Sequence, residues 1–182
     1  MRKWLDSELL GRLLTVLYAN ISTAGATNAI DYLVAEQNTG IKWTDSAAIF
    51  QKTIPFTGAI PVNQWLNISG EVHKIVAAAG IREGICVVFV PHTTAAVTLN
   101  ENADPDVPQD MTFALDMVSP DRREFQHGEG NSAAHAKSSL VGPSLTLIVS
   151  GGRLLLGTWQ GIWFNEYDGP RTRTVHVRVM GE

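Results

Sequence analysis

Two rhythms of apolar residues divide the chain. Near its start the spacing is helical. Trp4, Leu5, Leu9, Leu10, Leu13, Leu14, Leu17 and Ile21 fall on one stripe, and Asp6, Glu8 and Arg12 lie mostly off it. That pattern predicts an amphipathic helix, with a second around residues 29–35. From Ala48 onward the runs are short and strand-like. Residues 49–56 alternate and then meet Gly58 and Pro61, the mark of a strand and a turn. Residues 65–68 predict a short strand. Ser69 is placed to cap a helix over residues 70–79, which Gly80 closes. Residues 85–90 form a continuous apolar run, a buried strand, and residues 95–100 predict the next. Val107, Met111, Leu115 and Val118 recur at helical spacing within residues 106–118, and residues 132–140 predict a short helix. Four more strands are predicted over residues 145–149, 153–156, 161–167 and 172–179.

Strands therefore dominate, with two or three helices inserted, and no βα alternation suggests a doubly wound sheet. The expected class is α+β. The expected organisation is an N-terminal helical extension over residues 1–47 and one domain over residues 48–182. Arg2 and Lys3 ahead of an apolar stretch, with Ala24-Gly25-Ala26 beyond it, offer a signal-peptide reading of the extension. Asp6, Glu8 and Arg12 interrupt that stretch and argue against it.

Composition narrows the class further. The chain has 182 residues, 45% hydrophobic and 18% charged, enough apolar material to bury a core. A formal net charge of −4 argues against a protein that coats nucleic acid, which is normally basic. One cysteine excludes an internal disulfide and a cysteine-built zinc cage. No apolar run reaches the ~18 residues that a membrane span needs. These features predict a cytoplasmic domain that binds neither membrane nor nucleic acid.

The polar residues concentrate at three places, each at a predicted element end. Pro91-His92-Thr93-Thr94 follows a buried strand and leads to Asn100-Glu101-Asn102-Ala103-Asp104-Pro105-Asp106. His127-Gly128-Glu129-Gly130-Asn131-Ser132 leads to His135, and Gly157-Thr158-Trp159-Gln160-Gly161 precedes Glu166 to Arg173. His73 and His176 have ordinary neighbours. His92, His127 and His135 sit among Gly, Asn and carboxylates, and three imidazoles suit zinc with one position left open. The same residues also suit acid–base work near neutral pH. Their rings are expected to converge on one pocket with Glu101 at its edge.

Gly128 and Gly130 beside Asn131 and Ser132 let backbone N–H groups approach an anion at a helix start; an ordinary helix cap is the alternative. Arg171 and Arg173 alternate, which places both on one face of the last strand. They suit a phosphate or, equally, ion pairs with Glu166 and Asp168. Glu101, Asp104 and Asp106 could hold magnesium with a diphosphate, although Asp106 fits a helix cap better. Cys86 lies in an apolar strand and is expected to be inert. Trp159 and Trp163 read as core or subunit-interface aromatics, with Trp159 and Gln160 also placed to line a pocket.

These clusters, in this order, resemble the YjbQ family, also called the secondary thiamine-phosphate synthase family. The resemblance spans about residues 48–182. It implies a β-sandwich of seven or eight strands that assembles as a homotrimer, with a pocket near the subunit boundaries. It implies a weak activity joining hydroxymethylpyrimidine diphosphate to thiazole phosphate. In that reading His92, Glu101, His127 and His135 act on the substrate. Asn102, Asp104, Gly128, Glu129, Gly130, Asn131, Ser132, Trp159, Gln160, Arg171 and Arg173 hold it. Zinc at the histidines, or magnesium with the diphosphate, is the cofactor this reading allows. A three-histidine metal hydrolase of a small ester or phosphate, and a trimeric ligand-binding protein without catalysis, are the competing functions. Ala133 and Ala136 depart from the family pattern, which has an acidic and a larger apolar residue around His135. His135 therefore lacks an adjacent carboxylate that could orient its ring.

Overall fold

The computed structural model describes residues 48–182. The predicted helices of residues 1–47 lie outside the described residues. The strands are β1 (Ala48–Pro55), β2 (Gln64–Asn67), β3 (Gly84–Phe89), β4 (Ala95–Glu101), β5 (Ser144–Ser150), β6 (Arg153–Leu154), β7 (Gln160–Glu166) and β8 (Thr174–Gly181). The helices are α1 (Ser69–Ala79), α2 (Asp106–Val118) and α3 (Ser132–Val141). Every predicted element within these residues is present, displaced by no more than two residues at either end. The α+β class holds.

The strands form two antiparallel sheets, a five-stranded one in the order β1-β8-β3-β5-β6 and a three-stranded one in the order β2-β7-β4. Period-two alternation sends one face of each strand inward. Cys86 and Val88 of β3, Val175, Val177 and Val179 of β8, and Leu147 and Val149 of β5 meet Ile162 and Phe164 of β7 and Val97 of β4 in one core. Val72 and Val76 of α1 join it. Burying each such side chain contributes about 1.5–3 kcal/mol before chain entropy is charged against it. Burial pushes the Cys86 thiol up to about 11, so it is an inert core residue.

The opposite face of the three-stranded sheet is covered by α3. Ala96 of β4 packs with Ala134 of α3 and Tyr167, and Leu115 of α2 and Val141 close over them. Two hydrogen bonds lock α3 alongside β4: Ser138 Oγ donates to the Ala95 carbonyl (2.8 Å), and the Val97 N–H donates to the Gly142 carbonyl (3.1 Å).

Several local expectations change. Ser69 does not cap α1; its hydroxyl accepts the Ile162 N–H (2.8 Å), while Asn67 Oδ1 takes the Ser69 N–H (2.9 Å). A strand neighbour that needs an acceptor outcompetes the cap. Gly80 does close α1, in the left-handed region at φ 68°. Asp106 is not a cap either: Asp104 Oδ1 accepts the Asp106 N–H (2.9 Å), and Asp106 is the first residue of α2. The last strand begins at Thr174, so Arg171 and Arg173 lie in the connection before it and share no strand face.

Candidate functional site

The register of β4 on β7 separates the sequence motifs into two groups. Ala95 pairs with Glu166, and Glu101 pairs with Gln160 at the other end. Six residue steps at about 3.4 Å put those two ends about 20 Å apart. Within one chain Glu101, Asn102, Trp159 and Gln160 therefore belong to one end of the sheet. Thr94, Glu166, Asp168, Asn131 and the arginines belong to the other. Glu101 does not join the histidines of its own chain, contrary to the expectation from sequence. Strand length explains it: motifs close in sequence can bracket a strand and end up at its opposite ends.

The arginine end is built around a buried ion pair. Glu166 is fully buried and Arg173 is 6% exposed. Arg173 Nε and an Nη nitrogen donate to the two Glu166 oxygens (2.5 and 2.6 Å), and the same Nη donates to Thr94 Oγ1 (2.8 Å). The Asp168 N–H donates to Glu166 as well (2.8 Å). This fork-to-fork pairing with further donors is what lets two charges stay inside the protein. Arg173 is thus a positioning residue. It braces the loop that carries Arg171, and the ion-pair reading of both arginines is the one the geometry bears out.

Arg171 is half-exposed. An Nη of it donates to Asp168 Oδ2 (2.8 Å), with Glu129 3.8 Å away. Asn131 Nδ2 donates to the same Asp168 oxygen (2.8 Å) and approaches Glu129 (3.4 Å). The Asn131 side chain makes no cap bond to α3; the carboxylates take its donor instead. Gly169 lets the loop that carries Asp168 and Arg171 lie against the backbone of residues 60–62. A Cβ there would lie 2.3 Å from the Ile60 carbonyl oxygen and 2.4 Å from the Val62 nitrogen.

His127 and His135 stand next to this network, two residues before Glu129 and four after Asn131. Their rings are 5.2 Å apart, edge to face at 79°. His92 is engaged elsewhere: its Nε2 accepts the Thr174 N–H (3.0 Å). That role requires a neutral ring with its proton on Nδ1. Burial and then the neighbouring Arg173 charge hold His92 below the ordinary histidine range.

Within one chain the expected metal ligands do not come together. Among the described residues no group of three or more His, Cys, Asp or Glu side chains stands close enough to hold an ion. Two histidines meet where zinc needs at least three protein ligands. The carboxylates proposed for magnesium do not gather, since Asp104 is occupied with the backbone of α2.

The other end of the sheet is a lattice of amides and tryptophans. Asn67 donates to Asn102 Oδ1, and the Asn102 N–H donates to the Trp159 carbonyl (2.8 Å). Gln160 Oε1 accepts the Gly157 N–H (2.8 Å), and Trp163 Nε1 donates to the Glu101 carbonyl (3.2 Å). Trp65 and Trp163 meet edge to face at 6.3 Å. Trp159 is 64% exposed. Asn102 and Gln160 thus shape turns. Sequence reasoning named Glu166 only as an ion-pair candidate for the arginines, passed over Thr94 as a site-builder and missed Tyr167. Only Glu166, a charge inside an apolar strand run, carried a signal of its own.

The family model described as "UPF0047 protein YjbQ-like" matches residues 58–182, more than half of the chain. The chain belongs to the YjbQ (UPF0047) family. It is 52% identical over 120 residues to the UPF0047 protein YugU of Bacillus subtilis, covering 65% of this chain and 91% of that relative. It is 48% identical over 117 residues to the UPF0047 protein MJ1081 of Methanocaldococcus jannaschii, covering 64% and 85%. Among solved structures, a YbjQ-like protein of unknown function from Sulfolobus solfataricus matches with a TM-score of 0.70 at 31% identity, over 75% of this chain and 99% of that one. A YjbQ/UPF0047 protein from Clostridium acetobutylicum matches with a TM-score of 0.64 at 46% identity, over 71% and 98%. No helix among the described residues of this YjbQ-family chain is long and apolar enough to cross a membrane.

Proposed function

We propose that the arginine end of the small sheet binds a phosphorylated small molecule and transfers its organic group, as in the joining of hydroxymethylpyrimidine diphosphate to thiazole phosphate. The observation that carries this reading is the convergence of Arg171, Glu129, Asn131 and Asp168 beside the His127–His135 pair. These groups are partly exposed and pack little, so the core does not explain them. In the reaction the C–O bond to diphosphate breaks and its electron pair leaves with the diphosphate. The thiazole nitrogen forms the new C–N bond. Arg171 meets the charge that develops on the leaving group, the largest catalytic contribution expected at such a site, with the N–H groups at the start of α3 beside it. His127 and His135 serve as the nearby proton donors and acceptors. No step is assigned to a metal. The purified protein should form thiamine phosphate from the two precursors, and Arg171→Met and His127→Ala should each lower the rate at least about tenfold. Absence of product with the wild-type protein sinks this reading.

Self-association as a homotrimer belongs to the same proposal. It would bring the Glu101–Gln160 end of one copy towards the histidines of another. Register on the five-stranded sheet supports it: Ile49, Met180, Ile85 and Ile148 stand side by side across four strands. Ile49 and Ile148 are more than half exposed. Such a row on an outer face marks a contact surface. A sedimentation mass equal to the monomer at micromolar concentration rejects it. We also propose that residues 48–182 fold alone as a cytoplasmic domain; deletion of residues 1–45 should leave cooperative unfolding intact.

A further inference from the structure

Most of the large apolar side chains exposed among the described residues gather on two surfaces. The first is α2. Asp106, Asp110, Phe113 and Met117 recur at helical spacing on one stripe, and all four are exposed. Phe113 and Met117 are 68% and 70% exposed. None of the 13 residues of α2 is buried, and its inner side reaches the body through Leu115 on the Ala96–Ala134–Tyr167 cluster. Helices in proteins owe most of their stability to the packing of an apolar face. The outer stripe of α2 has no such cover within its own copy.

The second surface is the outer face of the five-stranded sheet. Its apolar row of Ile49, Met180, Ile85 and Ile148 lies at one end. Two residues further along β8 on the same face stands Arg178, and two beyond that His176. Both are held in place. Arg178 donates twice to Gln51 Oε1 (3.0 and 2.5 Å), and His176 Nδ1 meets Thr53 Oγ1 (2.9 Å). The strand register puts no carboxylate in these three rows. A recess of about 340 Å³ opens among Gln51, Val87, Phe89, His176, Arg178 and Met180, with apolar side chains in its floor.

We propose that the outer stripe of α2 docks on this sheet face of a second copy. The inference rests on the self-association reading above and names the two surfaces that make the contact. Charge selects the occupant: α2 carries three aspartates and no Lys, Arg or His, whereas the sheet rows carry Arg178 and His176 and no acid. Order and length agree as well. From its C-terminal end the stripe reads Met117, Phe113, Asp110, Asp106 over about 16 Å. From the apolar row β8 reads Met180, Arg178, His176 over about 14 Å. Apolar therefore meets apolar at one end and Asp110 and Asp106 meet the cations at the other, with Phe113 over the recess. The two surfaces differ, so the contact is heterologous, the kind that closes into a ring such as a trimer.

The test measures sedimentation mass of the full chain at micromolar concentration. The wild-type protein should have the trimer mass. Phe113→Glu and Arg178→Glu, both at exposed positions, should each fall to lower mass and keep cooperative unfolding. An equimolar mixture of these two variants should form a dimer, because one supplies an intact sheet face, the other an intact α2, and the ring cannot close. Asp110→Arg combined with Arg178→Glu in one chain should regain mass that Arg178→Glu alone has lost. A wild-type mass at the monomer value overturns this inference together with the trimer reading. A wild-type trimer whose mass neither variant changes overturns this inference alone and leaves the trimer standing. So does a variant mixture that stays monomeric, or loss of cooperative unfolding in both single variants, which would place the two side chains in the fold of one copy.

Discussion

The two ends of the three-stranded sheet carry equally dense polar motifs and use them differently. At the Ala95–Glu166 end the polar groups are charged and layered. Glu166 and Arg173 are sealed inside, Asp168 bridges them to the surface, and Arg171 stands half-exposed above. At the Glu101–Gln160 end the groups are amides and indoles that hydrogen-bond to backbone and to one another at the turns. Charges buried in a protein demand saturated partners, whereas neutral amides can be left at the rim. The first arrangement holds an exposed guanidinium in a fixed place, which is what an anion site requires. The second holds the shape of a sheet end. Within one chain, the proposed binding chemistry therefore rests on the charged end, and the amide end shapes the sheet's turns.

The largest expected effect tests the sealed pair. Glu166→Gln leaves the Arg173 charge buried with no counterion and should cost about 3–5 kcal/mol of stability, measured by urea unfolding. A loss below about 1 kcal/mol would show that the charges at this end are not interdependent. Next comes the scaffolding end. Gly161→Ala places a Cβ 2.8 Å from Asn102 Cβ, so the turn must shift, at about 1–3 kcal/mol. It should leave the pH dependence of stability unchanged.

That pH dependence belongs to His92. Its folded value is held below the ordinary one by burial and by Arg173. An unfolded chain therefore takes up the proton first as pH falls. Stability should be full above the ordinary histidine value of about 6.5 and decline as pH drops from there towards the lowered folded value. His92→Gln should flatten that decline between about pH 7 and 5; a parallel decline in the variant would assign it to other groups.

The smallest effect on folding should accompany a large one on chemistry. Arg171→Met removes exposed ion pairs and should change stability by less than about 1 kcal/mol, while lowering the rate of the precursor condensation at least about tenfold. Trp159→Ala, at the scaffolding end, offers the converse control: if it lowers activity as much as Arg171→Met, the functional division between the ends is wrong within the assembled protein.

The sequence by itself determined the elements, because apolar period and turn residues are local. Residues 106–118 appear as α2 with the same bounds, and Gly80 closes α1 because only a residue tolerant of positive φ ends a helix that way. Local composition also marked Cys86 as core and offered ion pairs with Glu166 and Asp168 as one of two readings of the arginines. Tertiary structure alone decided which motifs meet. The sequence itself predicts the strand within Pro91 to Asp106, but only the pairing of β4 with β7 decides which groups its two ends meet. His127 and His135 meet across the turn from His127 to Gly130 and the start of α3, while His92 is taken by the Thr174 N–H from a strand 82 residues away. Such pairings depend on sheet register, which is fixed by how the whole core packs and leaves no mark in the neighbouring residues.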